Sequence, residues 1–124
     1  MKVEVSLGEL VDKVTILAIK LEKITDPQKL SNIRKEHDLL YRQMRAAGIA
    51  EDSDEYGRLL AINRRLWDIE DRIRAREAEQ VFDEGFVALA RSVYFENDER
   101  AAVKRAINIK YGSDLIEEKQ YTAY

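Results

Sequence analysis

The sequence predicts an all-α fold: an antiparallel bundle of three long helices, with two shorter helices closing one end. Three observations predict it. Apolar residues recur at steps of three and four along most of the chain, the period of one helix face. A single Pro and five Gly in 124 residues leave few breaks. Residues with capping chemistry stand where the periodic stretches begin. A chain of this length forms one domain, residues 1–124, and 45% hydrophobic with 36% charged residues is a globular balance rather than a disordered one.

The lead Lys2-Val3-Glu4-Val5 alternates polar and apolar residues and reads as a short, extended, frayed start. Ser6-Leu7-Gly8-Glu9 has the form of a capping box, in which serine accepts from the third residue's N–H and glutamate reaches back. A first helix should follow to about Ile24, with Leu10, Val14, Leu17, Leu21 and Ile24 along its seam. Asp26 and Pro27 suit the cap and first position of a second helix. That helix carries Leu30, Ile33, His37, Leu40, Met44 and Ala47 and should stop at Gly48.

Ser53 caps a third helix, reaching Glu77 or slightly beyond, about 26 residues and about 39 Å. Leu59, Leu66 and Ile73 recur on it every seven residues beside Leu60 and Trp67, and the slots between them hold the polar Asn63 and Glu70. Folding the second helix back on the third about residue 50 sets His37 opposite Asn63 and Met44 opposite Tyr56. A shorter fourth helix is expected through Phe86, Leu89, Ala90, Val93 and Tyr94. Asn97 or Asp98 should cap a fifth that runs to Tyr111 and stops at Gly112, and Ser113 a last turn through Glu117.

Composition excludes some function classes. A net charge of −3 and a pI near 5.3 give no overall pull toward nucleic acid or an anionic membrane. The absence of Cys removes thiol nucleophiles and thiolate metal sites and fits a reducing cytoplasm. The start lacks the apolar core of a signal peptide, and the longest uncharged apolar run, Val14 to Ile19, is far short of a membrane span. A cytoplasmic protein is expected.

The candidate functional residues are few. Glu70, on a core-facing stripe, needs a cationic partner or would hold a raised pKa, the setting of a general base, and Asp71 adjoins it. Arg100, Lys104 and Asn108 stand at intervals of four with Tyr111 on the same side, a column able to grip a phosphate or carboxylate. Tyr121 could close over such a ligand. A solvated helix face is the commoner use of such a column. His37 and Asn63 read as a buried pair that fixes register, since one histidine without neighbouring Cys or His is a poor metal site. Glu96-x-x-Glu99 and Asp114-x-x-Glu117 faintly resemble the ExxE…ExxD pattern of all-helical nucleoside triphosphate pyrophosphohydrolases. The second pair is reversed, so neither a metal nor a cofactor is expected. No Gly-rich phosphate loop, GxSxG elbow or HExxH occurs.

Four stretches carry a resemblance: Val3 through Leu17, with its Ser6-Leu7-Gly8-Glu9-Leu10-Val11-Asp12-Lys13 run; Leu66-Trp67-Asp68-Ile69-Glu70-Asp71-Arg72-Ile73-Arg74; Asn97 through Asn108; and Gly112-Ser113 with Glu117-Glu118-Lys119. Over nearly the whole chain these resemble a small bacterial family of the domain-of-unknown-function type, DUF6165. The resemblance implies a bacterial protein associated with surface-polysaccharide and glycosyltransferase gene neighbourhoods. It assigns no activity and carries over no catalytic residue.

The functional expectation is therefore a non-enzymatic helical module that self-associates or docks a protein partner, with a small anionic ligand as a possible extra and no nucleic acid or membrane. The alternative, a small-molecule-binding protein or a metal-dependent nucleotide-processing enzyme, places a site between the third and fifth helices. There Glu70 or Asp71 would act as base or metal ligand, Arg100 and Lys104 would hold a phosphorylated ligand or nucleotide sugar, and Tyr121 would cover it.

Overall fold

A computed structural model describes residues 1–124. It contains four helices and no strand: α1 (Leu7–Lys23), α2 (Pro27–Ala46), α3 (Asp54–Ala78) and α4 (Glu84–Lys110). The expected count of five is corrected here, because the fourth and fifth helices are one continuous helix that passes through Asn97 and Asp98. Those residues favour caps when the backbone has no better option. Here the flanking apolar residues continue without a break in period, and packing keeps the helix whole.

The first three starts are those the capping residues announce, and Asp83 caps the fourth. Ser6 accepts from Glu9 N, Asp26 from Lys29 N, Ser53 from Tyr56 N and Asp83 from Phe86 N. Glu9 does not reach back to complete the capping box; its carboxylate goes to Lys104. Gly48, at φ +84°, ends α2 as its position suggested. Ser113 caps no last turn, and residues 112–124 leave α4 without regular structure.

Helix α1 is the hub. It packs on α2, α3 and α4, whereas α2 packs on α1 alone and not along α3. The expected His37–Asn63 pairing is therefore wrong. His37 stays half-buried on the stripe of α2 that carries Ile33, Leu40 and Met44 and stacks on Tyr41, ring centroids 5.7 Å apart, while Asn63 turns to α1. Only near the α2–α3 turn do the two helices share a core, where Met44, Ile49 and Tyr56 sink among Leu10, Val11, Val14, Leu59, Ile62, Val103 and Ile107.

At the usual rise α1 is about 25 Å long while α3 and α4 run to about 37 and 40 Å. The longer pair therefore continues beyond α1 as an antiparallel hairpin, closed by Arg76 Nη1 on Asp83 Oδ1 at 2.9 Å. In this extension only Ile69 and Leu89 are fully buried. Glu70 lies there as an exposed residue paired with Arg74 one turn on, at 3.5 Å. It is not the buried carboxylate its stripe position suggested.

Candidate functional site

Two features on α1, α3 and α4 gather the polar residues. The first is a seam between α1 and α4. Asp12, 1% exposed, stands among Val11, Val14 and Thr15 on the inner side of α1. A buried carboxylate is unfavourable unless its lone pairs are used, and here they are. Arg100 forks onto it, Nε at 2.9 Å from Oδ1 and Nη2 on Oδ2. Asn63 Nδ2 donates to the same Oδ1 at 2.9 Å and to Thr15 Oγ1 at 2.9 Å. The Asp12 hydrogen bond holds the Arg100 guanidinium above its ordinary pKa, against the opposing effect of burial.

Lys104 lies one turn further along α4. Its Nζ is 2.8 Å from Glu9 Oε2, 3.5 Å from Glu117 Oε2 and 4.0 Å from Asp12 Oδ2. Burial works against its charge, but the Glu9 hydrogen bond and the surrounding carboxylates outweigh that and raise its pKa. Asn108, a further turn on, accepts from Gly8 N at 2.7 Å, and Ser113 Oγ from Leu7 N at 3.0 Å. With Ser6 serving Glu9 N, the first three orphan amides of α1 are satisfied by side chains.

The helices meet backbone to backbone at Gly8, where a methyl group would overlap the Lys104 carbonyl oxygen and sit 2.9 Å from its carbon. That close approach is why glycine stands there.

The column Arg100, Lys104, Asn108 is thus real, but it faces α1 rather than solvent. Both cations are matched by Glu9, Asp12 and Glu117, leaving no spare positive charge for a phosphate. Tyr111 donates to Glu55 Oε2 at 3.4 Å. Tyr121 is exposed and makes no hydrogen bond or ring contact. The acidic pairs do not converge either: Glu96 and Glu99 both pair with Arg65, and Glu117 with Lys104 and Lys119. No group of three or more His, Asp or Glu is placed to share a metal ion.

The second feature is a groove of about 460 Å³ between α1, α3 and α4, lined by Ile16, Ile19, Asn63, Leu66, Trp67, Glu70, Asp71, Arg74, Val93, Asn97 and Arg100. It brings together three of the seven candidates, Glu70, Asp71 and Arg100. Lys104 and Asn108 border a separate hollow of about 230 Å³ with Arg105, Glu117, Glu118 and Lys119. Asp12 was missed by sequence reasoning, although its spacing of four from Gly8 and three from Thr15, within an apolar run, was a readable sign of a buried acid.

Fold and seam together define a class: a small four-helix protein whose first and last helices are locked by a buried ion pair. The chain belongs to a family of unknown function, DUF6165, whose model matches residues 1–124. Neither a curated protein nor a solved structure matches it. No helix is long and apolar enough to cross a membrane.

Proposed function

We propose that this protein is a non-enzymatic helical module of the bacterial cytoplasm that associates with copies of itself. One observation carries the reading. The chain exposes 8548 Å², against about 6,800 Å² expected for a folded monomer of its 14.4 kDa mass. The excess of about 1,700 Å² is ample for one interface of standard size, which hides about 800 Å² on each partner. Large apolar side chains make up part of it: Leu39 on α2, and Val87, Tyr94, Phe95 and Ile109 on α4.

Sedimentation velocity over a range of protein concentration tests this. A mass that rises with concentration toward a dimer supports it. A monomer mass at every concentration, with a melting temperature independent of concentration, removes it.

A second reading, small-ligand binding, is favoured by the groove that holds Trp67, Glu70, Asp71 and the exposed Arg74 together, at a volume usual for ligand pockets. A thermal-shift screen against nucleotides and nucleotide sugars tests it. Ligand at about a hundred times its Kd should add about 2.7 kcal/mol of stability, and Trp67→Ala should cancel the shift.

A further inference from the structure

Helix α4 carries apolar residues on two faces. The inner one, with Leu89, Val103 and Ile107, packs on α1 and α3. The outer one carries exposed Val87, Tyr94 and Phe95, with Ala102, interleaved at steps of three and four with the charged Glu84, Arg91, Asp98 and Arg105, the mixture of apolar anchors and flanking charges that helix pairing uses. Within the chain, Glu84, Arg91 and Asp98 have no oppositely charged partner, and the only ionic partner of Arg105 is Glu118. Arg91 lies over the Phe95 ring at 5.9 Å.

These residues are self-complementary. If a second α4 runs antiparallel across this face on a twofold axis between Tyr94 and Phe95, facing positions sum to 189. Tyr94 then meets the other copy's Phe95, Arg91 its Asp98, Val87 its Ala102 and Glu84 its Arg105. Apolar residues face apolar ones and every charge faces its opposite. An isologous interface requires such self-complementarity.

The segment after α4 already occupies part of this face. Gly112, at φ +67°, turns the chain back. Glu118 then pairs with Arg105 at 3.1 Å. The Tyr124 ring packs edge-on against Tyr94 and Phe95, at 5.3 and 5.1 Å between centroids, and its hydroxyl donates to Asp98. Glu118 stands where the other copy's Glu84 would, and Tyr124 where its aromatic pair would.

We propose that the outer face of α4 is the seat of a second copy's α4, and that residues 118–124 form a strap competing with that copy for Tyr94, Phe95, Asp98 and Arg105. The proposal rests on the self-association reading and names its surface, its partner and its control. The strap holds the chain as a monomer at low concentration; its release opens the face.

The test uses full-length chains in sedimentation equilibrium. Glu118→Ala with Tyr124→Ala frees the strap and should tighten the dimer by about tenfold or more, as expected when a competing closed state is removed. In that background, Arg91→Glu or Asp98→Arg alone sets like charges opposite each other and should abolish the dimer, and the two together should restore it. Rescue by the double swap is a result that a merely unfolded variant cannot give. A dimer that forms but ignores both the strap and the swap uses another face and overturns this proposal alone. A chain that stays monomeric with the strap freed overturns the self-association reading as well.

Discussion

Asp12 is the residue on which the fold is pinned, and its surroundings say what its loss should do. Asp12→Ala leaves the Arg100 guanidinium half-buried without a counter-charge and the Asn63 amide without its main acceptor. Breaking such a pair from one side should reduce stability by about 3–5 kcal/mol, a large part of the usual total of about 5–15 kcal/mol. The urea midpoint of unfolding measures it. Gly8→Ala acts by a different route. Its methyl has no room against the Lys104 backbone, which cannot rotate aside as a side chain would. The helices must part, at about 1–3 kcal/mol, and the melting temperature should fall accordingly. Tyr124 gives a pH-dependent prediction. Its hydrogen bond to Asp98 pushes the phenol up from 10.0 to about 12. A group with a raised pKa contributes its stabilisation fully below its unfolded value and loses it as pH rises through the folded one. The strap contact should therefore be intact below about pH 10 and gone above about 12. Tyr41, bonded to Glu51, and the buried Tyr56 are also held above the usual phenol value, so a phenol absorbance titration should show a late-ionising component, and Asp98→Asn should lower the midpoint of the Tyr124 part of it alone.

Among the elements, what was legible and what was not divide on physical grounds. Ser6, Asp26 and Ser53 announce their helices because capping is a local hydrogen bond between residues three apart. Local chemistry suffices for α1, α2 and α3. It fails at Asn97 and Asp98, whose side chains are as content on a helix surface as at its start when their neighbours pack on both sides. Asn97 there lines the groove and Asp98 takes the Tyr124 hydroxyl. The two arrangements separate by one substitution. Proline at the first position of a helix is tolerated, but inside one it removes a hydrogen bond and clashes with the preceding turn. Asp98→Pro should therefore be destabilising by about 3 kcal/mol or more, measured as loss of helical circular dichroism on heating. The pairing of α2 with α3 failed for a different reason. A short turn between two helices suggests that they lie side by side, yet α1 draws each of them to itself. Non-local competition of this kind leaves no mark in either helix's own sequence. Of the site, the column on α4 could be read from its spacing, but not the direction it faces, because Asp12 lies 88 positions away in the chain.

For the whole molecule, the exposed area of 8548 Å² sets how much contact the proposed association can use. Leu39 gives a control for that contact. It is as exposed as Val87, but on α2, away from the outer face of α4. Leu39→Lys should leave the sedimentation profile unchanged while Val87→Lys should reduce the associated fraction. The seam between α1 and α4 has a consequence in time as well as in space. A ribosome adding about 5–20 residues per second needs roughly 4–18 s to travel from Asp12 to Arg100. Throughout that interval α1 has emerged with an acid in its apolar side and no base to receive it. The hub of the finished protein is thus the helix that must wait longest for its partner, so a nascent chain stopped short of Arg100 should be open to proteases along its first helix.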